Sequence, residues 1–357
     1  MRIVVTGATG HVGSAMVRRL VADGHDVVGL ARRVDDIVPG GDGVASSYRS
    51  VDLTRPESET ALVDVFAGAD AVVHLAWGFQ PSHDQAYLEA LGVGGTRRVL
   101  AAVAAAAVPH LVHQSSLGVY APKRDDAPVG ESYPTDGVPT SIYSRHKVAA
   151  ERLLDEHERR QPGTTLITRL RPGIIGQRNA GSSLLRYGLP GLVPARALGL
   201  VPVLPMDRGL RVPMVHADDV ADALSRVLDR RAGGAFNLVA DPPVTAADIA
   251  AALGARLVHV PSGVLRGLVS ASWHARLQQV DTGWIDLAFA LPLLDATRAR
   301  TELGWTPTHD AHEVLGEVLA GMREARSGPT PVLRPRSVRQ ALADAWRGGL
   351  VSSRHRP

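Results

Sequence analysis

Tyr143 and Lys147 form the residue pair with the clearest capacity for chemistry in this sequence. They stand four apart, so a helix at this point places both side chains on one face. A free phenol titrates at about 10 and exchanges protons poorly at neutral pH. A neighbouring ammonium stabilises the phenolate and lowers its pKa toward neutrality, which general acid–base catalysis requires. Lysine occurs only at Lys123 and Lys147, so a chance Tyr-x-x-x-Lys match is much less expected than usual.

A pair of serines follows a short apolar segment earlier in the chain. Residues 111–114 read as a buried strand, and Ser115 and Ser116 come directly after it. In a parallel sheet, this edge is where ligands bind. Ser116 is therefore predicted to donate a hydrogen bond to a substrate carbonyl and to hold it beside Tyr143. A hydrolase nucleophile is excluded, because the Gly-x-Ser-x-Gly pattern around such a serine is absent.

A glycine-rich turn joins an apolar strand pattern at residues 3–5 to a helical pattern at 12–22. Gly7 permits the sharp turn, Gly10 lets the backbone approach a pyrophosphate, and Gly13 allows close packing of the helix on the sheet. The N–H groups at the helix N-terminus then bind the phosphates. The segment predicts a dinucleotide site that includes Gly7, Thr9, Gly10, His11, Val12 and Gly13. Lys147 can then hydrogen-bond the nicotinamide ribose.

The residues after the second predicted strand bear on the choice between NAD and NADP. Arg32 and Arg33 stand there, where NAD sites commonly carry a carboxylate that binds the ribose 2′-hydroxyl. No carboxylate repels a 2′-phosphate at this point, and two guanidiniums can bind one. We therefore expect NADP, with NAD as the second choice. Alternatively, both arginines are solvated loop charges in an arginine-rich chain.

Two further residue pairs are predicted to contact the dinucleotide. Asp52 and Leu53 follow the third strand, where a carboxylate and a backbone amide can meet the adenine edge. Leu75 and Ala76 end the fourth strand and are expected to lie against the dinucleotide at the carboxyl edge of the sheet. A loop cap and ordinary core packing are the alternative roles for these residues.

Helical and strand patterns alternate through the first half of the chain. Apolar strands are predicted at 3–5, 26–30, 71–75, 111–114 and 165–170, and helices at 12–22, 61–66, 93–107 and 143–159. This alternation indicates an α/β fold with a doubly wound parallel sheet of the Rossmann type and right-handed crossovers.

Composition narrows the classes of protein further. The 357 residues carry 39 basic and 36 acidic side chains, and a net charge of +3 is too even for a nucleic-acid binder. The absence of cysteine excludes disulfides, thiolate metal sites and a cysteine nucleophile. The 14 histidines form no His-Glu-x-x-His pattern, so no metal is assigned. No apolar run predicts a transmembrane segment, and no export signal is recognised, so a cytoplasmic location is expected.

The texture of the sequence changes after Arg171, where apolar segments rich in proline and glycine begin. We expect a dinucleotide-binding domain over 1–172, to which 212–240 return, a substrate-binding region over 173–211 and 241–326, and a basic C-terminal tail over 327–357. In the tail, Val338, Leu342 and Trp346 are spaced four apart and predict an amphipathic helix. Such a helix docks on its own domain, or it binds a partner or a membrane surface.

Taken together, the motifs resemble those of the extended short-chain dehydrogenases/reductases, the NAD(P)-dependent epimerase/dehydratase superfamily. The resemblance covers residues 1–325 and rests on the segments Thr6–Gly13, Asp52-Leu53, His74–Ala76, Ser115–Tyr120, Tyr143–Lys147, Leu170–Gly173, His216–Val220 and Glu302–Trp305. It implies that Ser116 orients the substrate, that Tyr143 is the acid/base and that Lys147 is its partner. It also implies that Pro172 and Gly173 lie against the cofactor.

Three departures from the family pattern limit what the resemblance implies. Gly92 stands where members carry an asparagine that completes the active-site tetrad. Leu117 and Gly118 replace the Asp-Glu pair of sugar-nucleotide dehydratases, which disfavours dehydration. Ile174 stands where nucleotide-sugar members place an asparagine against the diphosphate. With the apolar stretch 188–205, this suggests a less polar substrate; alternatively, the stretch is ordinary lid and hinge packing. Four arginines can still hold a phosphate: Arg178, Arg186, Arg208 and Arg211.

The main hypothesis is an NADP-dependent oxidoreductase that acts on a carbonyl or alcohol. Hydride passes to or from nicotinamide while Tyr143 transfers the proton and Ser116 polarises the oxygen. One alternative is a nucleotide-sugar epimerase with tightly bound NAD(P), and another is a non-catalytic NAD(P)-sensing protein, which has no reason to keep Ser116, Tyr143 and Lys147 together. A small-molecule substrate is the expected partner. The resemblance also implies a homodimer.

Overall fold

A parallel sheet carries most of the predicted site residues. The computed structural model describes residues 1–34, 44–78, 81–188, 195–275, 278, 280–328, 330 and 332–333. The strands are β1 (Arg2–Thr6), β2 (Asp26–Ala31), β3 (Ser47–Ser50), β4 (Ala71–His74), β5 (His110–Gln114), β6 (Leu166–Pro172), β7 (Ile174–Gly176), β8 (Val203–Met206), β9 (Arg211–His216), β10 (Gly234–Leu238), β11 (Ala240–Thr245) and β12 (Arg256–His259). The α-helices are α1 (His11–Ala22), α2 (Ser58–Phe66), α3 (Gln85–Ala105), α4 (Ile142–Arg160), α5 (Gly181–Gly188), α6 (Ala217–Arg230), α7 (Ala246–Leu253), α8 (Ser262–His274), α9 (Thr282–Ala290), α10 (Thr297–Leu303) and α11 (Ala311–Arg323).

Seven strands pair in the order β3-β2-β1-β4-β5-β6-β10, and every pair is parallel. This confirms the doubly wound α/β sheet that the alternating pattern predicts. The strand order reverses between β1 and β4, and ligands of such sheets bind outside the carboxyl ends of the strands at this point. Gly7 follows β1 and Leu75 follows β4, so the glycine-rich turn and the end of the fourth strand meet there.

The two faces of the sheet are covered by separate apolar layers. Ile3 and Val5 of β1 pack into one layer, with side chains of α1 and α6, and Val4 packs into the other, with side chains of α2, α3 and α4. This alternation follows from the two-residue period of a strand. Because both faces are buried, the central strands are continuous apolar runs rather than alternating ones.

Helix α3 differs from its sequence-based prediction. The pattern predicts a helix over 93–107, but α3 begins at Gln85, where the Asp84 side chain accepts a hydrogen bond from the N–H of Tyr87 at 3.0 Å. Gly92 is a poor helix former, so a reading based on propensity begins the helix after it and misses residues 85–92. Packing overrides propensity, since a Cβ on Gly95 would lie 3.3 Å from Leu53.

A second region is built from β7, β9 and β11, which form a three-stranded sheet, and from β8 and β12, which form a pair. Residues 212–240 are expected from the sequence to return to the dinucleotide-binding domain. Of the strands in this segment, β10 lies in the main sheet, whereas β9 lies in the three-stranded sheet. Residues 189–194 of the apolar stretch and the predicted tail helix with Val338, Leu342 and Trp346 lie outside the described residues. In the described part of the chain, no helix has the length and apolar character needed to cross a membrane.

Candidate active site

The glycine-rich turn is shaped by close backbone approaches. Gly7 has φ +72°, a conformation that favours glycine, and a Cβ there would lie 2.8 Å from the backbone nitrogen of Ala76. A Cβ on Gly13 would lie 2.1 Å from the carbonyl oxygen of Gly7. Beside Gly10 the backbone is open, since the Gly7 oxygen at 3.1 Å is the one atom that a Cβ there would meet among the described residues. A pyrophosphate can therefore approach Gly10.

Helix α1 begins at His11, and its N-cap residue Gly10 supplies no side-chain hydrogen bond. The first N–H groups of such a helix are suited to an anion. His11 itself adds no charge, because burial, with a smaller effect of His216, lowers its pKa to about 4. The predicted residues Thr9 and Val12 lie in the same turn, Thr9 buried and Val12 packed against the apolar layer of α1.

The carbonyl groups of this turn are held by distant parts of the chain. The Gln177 amide donates to the His11 oxygen at 2.5 Å, and the Thr330 hydroxyl donates to the Thr9 oxygen at 2.7 Å. Gln177 and Thr330 are both buried. Neither residue stands out in the sequence, because their contact with the turn spans more than 160 residues.

The two predicted arginines lie after β2, and both are half-buried. The Arg32 guanidinium carbon lies 5.4 Å from the centroid of the Tyr87 ring. Partial burial alone would raise the pKa of Asp52, but hydrogen bonds from Thr54 and the charges of Arg32 and Arg55 outweigh burial and lower it. Arg32 and Asp52 are thus close enough to interact at the end of the sheet.

The other predicted cofactor residues have clear local roles. Asp52 accepts from the Thr54 N–H at 3.0 Å and from its hydroxyl at 2.7 Å, so one carboxylate oxygen caps a turn. Leu53 is buried in the core. Leu75 and Ala76 are half-buried beside the turn at Gly7.

Pro172 and Gly173 lie at the carboxyl end of β6. The N–H of Gly173 donates to the Leu238 oxygen at 2.9 Å, and a Cβ on Gly173 would lie 2.6 Å from the Pro213 oxygen. The backbone of Pro172 and Gly173 therefore joins the main sheet to β9.

Ser116 and Tyr143 are brought together at the end of β5. The Ser116 hydroxyl accepts from the Gly118 N–H at 3.0 Å and is buried. Burial raises the pKa of Tyr143, and a hydrogen bond with Ser116 opposes this. A Cβ on Gly118 would lie 2.8 Å from the Tyr143 ring, so glycine at 118 lets the phenol reach the serine. Trp284 of α9 covers the phenol, with ring centroids 5.3 Å apart.

Lys147 lies one helical turn beyond Tyr143, as the spacing predicts. Its Nζ donates to the carbonyl oxygen of Gln114 at 2.9 Å, and the residue is 3% exposed. Burial lowers the pKa of Lys147 to about 7, against the opposing charge of Glu151. The helix N-cap Ser141, whose side chain accepts from the Ser144 N–H, fixes where α4 begins and thus the direction of both side chains.

Comparisons with known proteins decide the family. A family model described as NAD dependent epimerase/dehydratase family matches residues 3–238. The chain belongs to this family. A dTDP-6-deoxy-L-talose 4-dehydrogenase (NAD(P)(+)) of Kitasatospora kifunensis is 30% identical over 323 residues, which are 89% of this chain and 94% of that enzyme. The resemblance inferred from the motifs is therefore confirmed at the level of the family.

Two further proteins similar to this epimerase/dehydratase family member differ in the share of their length that the chain covers. An uncharacterised protein of Mycobacterium tuberculosis is 29% identical over 327 residues, and the chain spans 30% of its length. The fold is similar to that of the UDP-glucose 4-epimerase of Thermus thermophilus in complex with NAD, with a TM-score of 0.67, 22% identity, and coverage of 91% of this chain and 100% of that chain.

In this family member, Gly92 makes room for an aromatic ring. The indole of Trp77 lies against Gly92, where a Cβ would be 3.0 Å from the ring. Its face lies 3.7 Å from Lys147 Nζ, measured to the ring centroid. The indole and the Tyr143 ring form a T-shaped pair, with centroids 6.4 Å apart and an interplanar angle of 82°. Sequence reasoning noted the missing asparagine but not the tryptophan that fills its place.

A buried ion pair joins helix α4 to the sheet and was also not identified from the sequence. Glu151 of α4 and Arg171 of β6 are both nearly inaccessible to solvent. The Ser115 hydroxyl donates to the same carboxylate at 2.5 Å. Tyr143, Lys147 and Glu151 are each four apart, so the helical period offered a signal that Glu151 shares their face.

One group of possible metal ligands lies away from these residues, at His216, Asp219 and His309. Its donor atoms already have protein partners. His216 Nδ1 accepts from the Asp218 N–H at 3.2 Å and Nε2 lies 3.1 Å from Glu317. Asp219 accepts hydrogen bonds at both oxygens from residues 308 and 309. We assign this group a structural role at the start of α6.

Proposed function

We propose that the protein is an NADP-dependent oxidoreductase that interconverts a carbonyl and an alcohol. The observation that carries this proposal is the shared position of Ser116, Tyr143 and Lys147: the Tyr143 ring lies against Gly118, two residues beyond the buried Ser116, and one helical turn from the buried Lys147. Ser116 orients the substrate oxygen, and Tyr143 gives it a proton during reduction or removes one during oxidation. The Lys147 ammonium favours the phenolate form of Tyr143 electrostatically. When bound, the nicotinamide supplies hydride-transfer chemistry.

The chain's own residues fit a dinucleotide. The open backbone at Gly10 and the uncapped N-terminus of α1 suit the pyrophosphate. Leu75 and Ala76 border the same turn, and Asp52 lies at the end of the sheet. Of the remaining candidates, Leu53 offers only its backbone, because its side chain is in the core.

Arg32 and Arg33 support NADP over NAD, since guanidiniums at the end of β2 can bind a 2′-phosphate. Dissociation constants for NADPH and NADH, measured by quenching of tryptophan fluorescence, test this preference. Tighter binding of NADPH, reduced to the affinity for NADH in an Arg32→Ala/Arg33→Ala double variant, is expected. Equal or tighter binding of NADH contradicts the NADP assignment and leaves the site itself intact.

A nucleotide-sugar epimerase is the second candidate, because the fold is similar to that of the Thermus thermophilus UDP-glucose 4-epimerase. Two of the four arginines that can hold a diphosphate already have partners: Arg178 binds Glu324 at 2.5 Å, and Arg211 donates to two backbone oxygens. Ile174 is 51% exposed and offers no hydrogen bond from its side chain. These contacts favour net oxidoreduction. Protein that retains its dinucleotide through purification and converts nucleotide sugars without net oxidation of added NADPH contradicts this choice.

We further propose a cytoplasmic homodimer formed through α3 and α4, which pack side by side beneath the sheet. Light scattering coupled to size-exclusion chromatography measures the mass directly. The mass of two chains is expected, and the mass of one chain contradicts the proposal.

A further inference from the structure

The indole of Trp77 contacts two residues of the proposed active site, Lys147 and Tyr143. Its face lies 3.7 Å from the Lys147 ammonium, and the indole forms a T-shaped pair with the Tyr143 ring. Its Nε1 is buried and has no hydrogen-bond partner among the described residues. The contacts that position Trp77 are therefore made by its aromatic ring and not by a hydrogen bond from its Nε1.

Gly92 and Trp77 are sterically matched. The Cη2, Cζ2 and Cζ3 atoms of the indole would lie 3.0, 3.1 and 3.2 Å from a Cβ at position 92. Any larger side chain there, asparagine included, must displace the ring. The Thr96 hydroxyl donates to the Gly92 oxygen at 2.7 Å and bonds His74, which anchors this turn of α3 from the other side.

The Lys147 ammonium needs such a neighbour because it is buried with a single hydrogen-bond acceptor in the described part of the chain, the Gln114 oxygen at 2.9 Å. An ammonium has three donors, and burial penalises its charge. The negative face of an aromatic ring attracts a cation, most strongly when the ring is tryptophan. The ring therefore offsets part of the penalty at the place where the charge acts on Tyr143.

We propose that Trp77 is a positioning residue for proton transfer: admitted by Gly92, its indole fixes the Lys147 ammonium against the Gln114 oxygen and keeps it charged beside Tyr143. The proposal rests on the proposed function, because it assigns Lys147 the role of tuning Tyr143. It also explains why the tetrad asparagine is absent, since the ring and an asparagine at position 92 exclude each other.

The other titratable groups around Lys147 do not complicate this picture. Glu151 of the same helix is paired with Arg171. Burial, together with the charge of Lys147, lowers the pKa of His74 to about 3. Burial, together with His74, Lys147 and Arg169, lowers the pKa of His113 well below its usual value. Both rings are neutral near neutral pH, so Lys147 and Tyr143 are the groups that change charge above pH 6.

The scarcity of lysine provides a direct test on the whole protein without any substrate. Lysine labelled with ¹³C at Cε and ¹⁵N at Nζ gives two side-chain signals, from Lys147 and from Lys123, which lies apart from the site and pairs with Asp126. An NMR pH titration then measures both lysines in one sample. Lys123 serves as the internal control.

Fluorinated tryptophan analogues weaken the negative face of the indole with little change in size. In the described residues, Trp77 is the tryptophan whose ring meets Lys147. Incorporation is expected to lower the midpoint of the Lys147 titration by a part of the about 0.4 to 1.5 pH units that a full cation–π contact is worth. The Lys123 midpoint is expected not to move. An unchanged or higher Lys147 midpoint overturns the proposal.

A second variant tests the match with Gly92. Gly92→Leu forces the ring away from Lys147 and is expected to lower the Lys147 midpoint in the same direction. Gly94→Leu is the control in the same helix, because a Cβ there would meet only the flexible end of Arg98 within 3.5 Å. If Gly92→Leu and Gly94→Leu shift the Lys147 midpoint equally, the specific match between Gly92 and Trp77 is contradicted. Since neither experiment measures turnover, a failed proposed function and a failed role for Trp77 give separate results.

Discussion

The carboxylate of Glu151 binds the guanidinium of Arg171 at two points, with oxygen-to-nitrogen distances of 2.9 Å and 2.6 Å. The pair joins α4, which carries Tyr143 and Lys147, to β6. Ser115 donates to the same carboxylate from the end of β5. Helix α4 is therefore joined to the edge of the sheet that carries Ser116.

Breaking this ion pair is expected to destabilise the fold strongly. Arg171→Leu leaves the Glu151 carboxylate buried without its partner, which costs about 3–5 kcal/mol in free energy of unfolding. Urea denaturation followed by circular dichroism measures the loss. Arg160→Ala is the matched control, because Arg160 pairs with Glu156 at the surface and such pairs contribute about 0–1 kcal/mol. An Arg171→Leu variant as stable as the control contradicts the supporting role.

Replacing Lys147 by arginine is expected to abolish most of the turnover. The buried space between the Gln114 oxygen and the Trp77 ring fits a compact ammonium, and a guanidinium is larger and planar. A loss of about 10²- to 10⁴-fold in kcat is the usual size for a disabled acid–base group. Oxidation of NADPH measures it, with Lys123→Arg as the control. Undiminished turnover of Lys147→Arg overturns the assignment.

Adding one methyl group at position 13 is expected to damage the glycine-rich turn. In Gly13→Ala, the Cβ would lie 2.1 Å from the Gly7 oxygen, so the turn or α1 must shift. Dinucleotide affinity, measured by fluorescence quenching, is expected to fall at least tenfold. Gly316→Ala provides the control, because no atom of the described residues lies within 4 Å of a Cβ there and alanine favours a helix. Unaltered affinity in Gly13→Ala argues against this turn as the phosphate site.

The contact between Thr330 and the turn is expected to affect cofactor binding. Thr330→Val removes the hydrogen bond to the Thr9 oxygen, and one such bond is worth about 0.5–1.5 kcal/mol, or about 2- to 12-fold in affinity. Calorimetric titration with NADPH measures the change. Thr301→Val is the control, since the Thr301 hydroxyl donates within its own surface helix. If Thr330→Val binds NADPH as tightly as Thr301→Val does, Thr330 does not position the glycine-rich turn for cofactor binding.

Buried neutral histidines are expected to make stability fall in acid. Burial lowers the pKa of His11 and of His110 to about 4, from the usual value of 6.5. Protonation then favours the unfolded chain, so the stability is complete above pH 6.5 and is lost as the pH falls toward 4. Each histidine contributes a slope of about 1.4 kcal/mol per pH unit in this window. His110→Gln is expected to reduce the slope by one such contribution in urea denaturation, and an unchanged slope contradicts it.

The sequence was most informative where local pattern and tertiary structure agree. Strand β1 and helix α1 follow from an apolar run, a glycine-rich turn and a helical period, and the structure places them within one residue of the prediction. The spacing of Tyr143 and Lys147 likewise predicts one helical face. Each of these inferences needs only neighbouring residues.

The remaining features depend on contacts between distant residues. The first eight residues of α3 were missed, since glycines in that helix are explained only by the packing of Leu53 and Trp77. The position of the Trp77 ring depends on Gly92. The glycine-rich turn accepts a hydrogen bond at Thr9 from Thr330, which lies more than 300 residues away in the sequence. Contacts between residues so far apart leave no periodic pattern in the sequence, so a single sequence does not reveal them.

Replacement of Tyr143 by phenylalanine tests the central claim most directly. Wild-type protein and the Tyr143→Phe variant are compared for binding of NADPH and for its oxidation with a panel of carbonyl compounds and keto sugars linked to nucleotides. The account predicts that Tyr143→Phe binds NADPH as tightly as the wild type and loses at least 99% of the turnover, about 10²-fold. Turnover in Tyr143→Phe equal to that of the wild type would contradict the account.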